Sequence, residues 1–143
     1  KTLAEEKIKA IEAMKDINSD ATIGYIQDCT VICSGSITVN GKGIYKSNVY
    51  AEKGIYFTGE GQCELRGGKI KAENEIKVKV VGSPSGVMTE VIVGKEGHIY
   101  CDVAYLNTKF IVGNMETIVD ETCKSVHVYI DKNRDLIVDK FKI

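Results

Sequence analysis

The side chains able to do chemistry are few in this chain of 143 residues: two histidines, His98 and His127, and five cysteines, Cys29, Cys33, Cys63, Cys101 and Cys123. A histidine acts as a general base only where a neighbour takes or orients its proton. His98 falls in a polar turn and His127 on the polar phase of an alternating stretch. The sequence sets no acid, nucleophile or second ligand beside either, so both are expected to be dispensable. The cysteines are odd in number and lack C-x-x-C spacing, which argues against a disulfide framework and against a zinc ribbon. They read as reduced thiols, as in a cytoplasmic protein. Glu73, Glu75 and Glu96 lie in turns, where carboxylates are solvated rather than paired for acid–base work. Gly82-Ser83-Pro84-Ser85-Gly86 could offer successive amides to an anion, but neither a helix start nor a P-loop lysine accompanies it, and it reads as a corner. No catalytic residue, cofactor site or metal site is expected.

What positions these residues is a repeat. Val31-Ile32-Cys33-Ser34-Gly35-Ser36-Ile37, Val49-Tyr50-Ala51-Glu52-Lys53-Gly54-Ile55, Ile70-Lys71-Ala72-Glu73-Asn74-Glu75-Ile76 and Val91-Ile92-Val93-Gly94-Lys95-Glu96-Gly97-His98-Ile99 superpose, and Phe110-Ile111-Val112-Gly113-Asn114 begins a fifth copy. The openers stand about 18 to 21 residues apart, the signature of stacked coils. Ile and Val far outnumber Leu, as pleated, half-buried surfaces favour. The expected fold is all-β: a parallel β-solenoid of about five coils over residues 19–114. Strand alternation places Val31/Cys33, Val49/Ala51, Ile70/Ala72, Val91/Val93 and Phe110/Val112 inside, and after the turn Ile37/Val39, Ile55/Phe57, Ile76/Val78 and Ile99/Cys101. The remaining Gly-rich third of each coil is expected to be irregular.

The flanks differ. Ala4, Ile8, Ile11 and Met14 or Lys15 recur at helical spacing, with Glu5 and Glu6 in the first turns, which predicts an α-helix over 1–18, packed on the sheet or ending a coiled coil. Val126, Val128 and Ile130 alternate with His127 and Tyr129, and after the turn Lys132-Asn133-Arg134-Asp135 the run Leu136–Ile143 follows. Residues 115–143 are thus expected to form a capping β-hairpin, because an uncovered last coil would leave backbone groups unpaired. With 19 basic and 20 acidic residues the chain has no electrostatic footprint for nucleic acid. No apolar run reaches the roughly 18 residues of a membrane span, so no membrane insertion is expected.

If the openers point inward, Ile32, Tyr50, Lys71, Ile92 and Ile111 form an outward row, and Thr38, Tyr56, Lys77 and Tyr100 a second. The first row is unusually apolar for a solvated face. It is the candidate interaction face, to be covered by the chain's own N-terminal helix or by a second copy in a homo-oligomer. It cannot assemble the acids that carbohydrate-cleaving β-helices gather on one strand face. Hexapeptide acyltransferases, which use a histidine, have coils of about 18 residues, whereas the spacing here drifts to 21.

From Gly67 to Thr89 the chain follows the run G-G-x-I-x-A-x-x-x-I-x-x-K-x-x-G-S-x-x-G-x-x-T. The stretch Arg66–Val91 closely resembles the flagellar assembly protein A (FapA) family, with similarity over about residues 21–143. The resemblance implies a parallel, right-handed β-solenoid within a larger protein that also has an N-terminal domain and coiled-coil segments. It further implies a link to flagellar assembly or polar localisation, and it carries over no catalytic residue. The expected function is a non-enzymatic scaffold for protein–protein interaction. The alternatives are a self-assembling module like the cytoskeletal bactofilins, against which the capping hairpin argues, and a carbohydrate-binding or carbohydrate-modifying solenoid, for which Tyr50, Tyr56 and Tyr100 are the only near-row.

Overall fold

Runs such as Thr30-Val31-Ile32-Cys33, mostly β-branched and followed by Ser34 and Gly35, favour extended backbone, and strands are what they form. The computed structural model describes residues 5–11, 14–17 and 19–142, and among these there is no helix. The strands are β1 (Glu5–Ile11), β2 (Met14–Ile17), β3 (Asp20–Gln27), β4 (Thr30–Cys33) and β5 (Ile37–Ala51), then β6 (Gly54–Phe57), β7 (Glu64–Ala72), β8 (Glu75–Val81) and β9 (Thr89–Val93). They are followed by β10 (His98–Ala104), β11 (Thr108–Val112), β12 (Met115–Ile118), β13 (Cys123–Ile130) and β14 (Leu136–Lys142).

Parallel pairing stacks like on like. On the first face Ala21, Ile37, Ile55, Ile76 and Ile99 are in register, and on the third Val31, Val49, Ile70, Val91 and Phe110. All ten are buried, as are Cys33, Ala51, Ala72, Val93 and Val112 two places on. Each full aliphatic side chain so buried contributes about 1.5–3 kcal/mol before entropy is charged against it. The chain makes about 4 turns between Ala21 and Ile99, slightly fewer than the five coils expected, because the turns are the intervals between openers.

The Gly-rich third of each coil is more ordered than expected. Ile26, Ile44, Leu65, Val81 and Ala104 form a buried ladder of their own, which makes a second face between the other two. Only one inward residue per coil marks this face, too little for a period-two signal. Buried Ser47 secures its exit: its hydroxyl donates to Tyr45 O (2.8 Å) and accepts from Cys29 N (3.0 Å), beside Lys46 at φ 50°.

The N-terminal helix is not formed. Glu5–Ile11 and Met14–Ile17 are strands β1 and β2, which pair parallel with β3 and β4 and extend the stack; residues 1–4, 12–13 and 18 of the expected helix lie outside the described residues. Lys, Glu, Ala and Met are good helix formers, but propensity is a weak prior that a ready parallel edge overrides. In register, Ile8 meets Ile23, Ala10 meets Ile26 and Ile17 meets Cys33.

The other end is closed by antiparallel strands. β13 pairs with β10 and with β14, so the C-terminal hairpin lies along the first face, and Cys123, Val126 and Val128 are buried on the core. Its turn is set by Asp131, whose Oδ1 accepts from Asn133 N (2.9 Å) and Asp135 N (3.0 Å). On the third face the short β12 covers β11, a strand the sequence pattern did not mark.

Two substitutions test this packing. Ala72 is wholly buried between Ala51 and Val93, so Ala72→Phe should overpack the stack and cost about 1–3 kcal/mol or more. An unaltered melting temperature would put the inward register wrong by one residue. Gly68 has φ +82°, and a Cβ there would lie 2.2 Å from Ser47 O, whereas a Cβ on Gly61 (φ +68°) meets nothing within 4 Å. Both Gly→Ala changes carry the left-handed penalty of about 1–2 kcal/mol, and only Gly68→Ala adds a backbone clash. Chemical denaturation should therefore rank Gly68→Ala clearly below Gly61→Ala, and equal stabilities would refute that close approach.

Candidate functional site

Because the openers of the third face point inward, their neighbours point out, and parallel pairing sets those neighbours side by side. Ile32, Tyr50, Lys71, Ile92 and Ile111 are consecutive register partners across β4, β5, β7, β9 and β11. By register Asp16 of β2 precedes the row and Glu116 of β12 follows it. Ile32 is 39% exposed, Lys71 is exposed, and Tyr50, Ile92 and Ile111 are half-buried. A shallow groove runs along the lower part of the row, lined by Ile32, Tyr50 and Lys71 and rimmed by Glu52 and Glu73. Glu73 leans over Gly94, whose missing side chain leaves room for the carboxylate. The upper end is tied by Lys109 Nζ to Glu116 Oε2 at 3.1 Å.

The second outward row also forms, on the first face. Thr38, Tyr56, Lys77 and Tyr100 are register partners, and His127 of the hairpin continues them. The tyrosines expected as a near-row do not make one. Tyr50 lies on the third face, and Lys77 separates Tyr56 from Tyr100, its Nζ 5.5 Å from the Tyr100 ring centre.

The two histidines are not isolated. His98 Nδ1 and His127 Nε2 meet at 2.9 Å, and the ring centres are 5.1 Å apart, so the imidazoles meet edge to edge across β10 and β13. Tyr100 stacks on His127 at 4.3 Å and Tyr129 at 4.5 Å. Asp139 of β14 is the register partner of His127, and Glu75 of β8 that of His98. Burial first, then the neighbouring His98, hold the His127 imidazole below its ordinary range, against an opposing pull from Asp139. Glu75 also hydrogen-bonds Tyr56, whose phenol is pushed up by burial and then by that carboxylate. Sequence reasoning missed the pair because it depends on how a distant hairpin registers on β10. No local pattern carries that information.

A third polar group surrounds Glu64, a buried carboxylate satisfied by Arg66 (2.6 Å) and Gln62 (2.8 Å). Burial, and then Glu64, push the Tyr45 phenol up to about 12. The loop Gly82–Gly86 turns with positive φ at both glycines, and its serine hydroxyls hold each other at 2.6 Å. Among the described residues no group of three or more His, Cys, Asp or Glu is placed to hold a metal, and no helix is long and apolar enough to cross a membrane.

A parallel stack in which Gly68, Gly82 and Gly86 turn at positive φ, and Ile70, Ala72 and Ile76 face inward, is the geometry that the Arg66–Val91 resemblance calls for. The Flagellar Assembly Protein A beta solenoid domain matches residues 6–100. The chain belongs to the FapA β-solenoid family. The match begins within β1, in the segment whose spacing suggested a helix, and ends within β10, before the closing hairpin. No curated protein and no solved structure matches the chain.

The five cysteines of this FapA-family chain form no disulfide and are all buried, and burial pushes the thiols of Cys33, Cys63, Cys101 and Cys123 up, away from the reactive thiolate. A thiol reagent at mildly alkaline pH should modify the native protein at least about tenfold more slowly than the unfolded chain. One fast-reacting native cysteine would contradict this burial.

Proposed function

We propose that the chain is a non-enzymatic, cytoplasmic scaffold that presents the row Ile32, Tyr50, Lys71, Ile92 and Ile111 to a protein partner in flagellar assembly or polar localisation. One observation carries the reading: a row of five residues in register, four of them apolar and all at least partly open to solvent, on a stack of parallel strands. At about 4.8 Å per strand the row is about 19 Å long, close to a helix of about 13 residues. Its chemistry suits a partner with an apolar stripe and a basic edge, because Glu52 and Glu73 rim the groove. The family supplies the flagellar setting. The expected occupant from within, the N-terminal helix, is excluded by β1 and β2.

The bactofilin-like alternative, growing end to end, needs both ends of the stack open to parallel addition. At the C-terminal end β12 covers the third face, and β13 covers the first and, through Cys123 opposite Ala104, the second. The carbohydrate reading loses its tyrosine row, and the aromatic rings that do cluster are stacked on one another instead of offering a free flat face.

The test is site-specific photocrosslinking from position 92 in the cell, with position 38 on the first face as control. A defined heterologous protein crosslinked from 92, absent from 38 and lost in Tyr50→Glu with the melting temperature retained, is the expected result. Crosslinks only between copies of the chain, or to glycan, would replace this reading by one of the alternatives.

A further inference from the structure

We propose that the His98–His127 contact is an acid-sensitive latch holding the C-terminal hairpin on the last coil. It is a regulatory device in the fold, and it does not depend on the partner reading above.

The geometry defines how many protons the latch can carry. Two imidazole nitrogens at 2.9 Å, with the rings meeting edge to edge, are bridged by one proton, which one nitrogen donates to the other. A first added proton leaves the bridge intact, but a second, which gives each ring both of its N–H groups, would aim N–H at N–H and set two cations at that distance in a half-buried site. The rings cannot easily turn away, because Tyr100 and Tyr129 stack on His127 and Tyr129 also lies 5.3 Å from His98. The contact joins β10, the last strand of the first face, to β13, whose side chains Val126 and Val128 on either side of His127 close the core. What strains the pair therefore strains the closure.

The charges on the packed elements pull in opposing directions. From β14, Asp139 faces His127 and favours its protonation. From β8, Glu75 faces His98, but it is engaged by Tyr56 and lies 3.9 Å from Lys77, which itself rests over Tyr100. The net direction on His127 is still downward, with burial the larger cause and His98 the next. A group held down in the folded state is stabilising above its unfolded value, about 6.5, and that stability drains away as pH falls through the folded value. The hairpin should thus be tight at neutral pH and loosen under mild acid.

Imidazole NMR titration of the full chain should place the His127 step below its ordinary range and move it upward in His98→Gln. Hydrogen exchange, corrected for the intrinsic rate, should show residues 123–142 opening about tenfold more often for each unit of displacement on going from about pH 7.5 to about pH 5. In His98→Gln and His127→Gln that pH dependence should largely vanish, while Tyr56→Phe should keep it. A His127 titration unchanged by His98→Gln, or the same acid opening in wild type and both His→Gln variants, would overturn the latch.

Discussion

Everything in this structure depends on coils lying in register. A single coil contributes one or two inward residues per face, such as Val49 and Ala51, or Ile44 alone, and cannot shield them by itself. Stacked in parallel, each becomes one rung of a ladder whose backbone groups are paired above and below. The same register that buries Val31, Val49, Ile70, Val91 and Phe110 obliges their neighbours to line up outside. The outward row is therefore a consequence of how the core is built, and its spacing is fixed to that of the strands.

Register also explains the closure. A parallel stack has open edges at its ends, and antiparallel strands stop growth because a parallel coil cannot continue on them. Here β12 and β13 do this at the C-terminal end, and the hairpin brings His127 into the outward row of the first face. At this end the hairpin turns back on the last coil and sets its side chains beside those of β10. That is why the only histidine pair among the described residues sits there.

The repeat made much of this legible. Openers and their partners two places on, from Val31/Cys33 to Phe110/Val112, are buried as alternation requires, and both outward rows have their expected members. The helix over 1–18 failed because Ile8, Ile11 and Lys15 fit a helical period while the strand pairing they join is with residues about 15 positions away, which local spacing does not report. The second face escaped because Ile26, Ile44 and Leu65 stand alone among glycines and polar residues. His98 and His127 looked solitary because 29 residues separate them and only the hairpin's docking joins them.

Ile32 and Ile111 are the ends of one continuous row on the stacked coils. Electron–electron distance measurement between spin labels at positions 32 and 111 tests it most directly. Four strand spacings predict a single narrow distribution centred near about 20 Å, allowing for the label tethers. A broad distribution, or a centre far beyond that length, would mean that the coils are not stacked in this register and that the face does not exist.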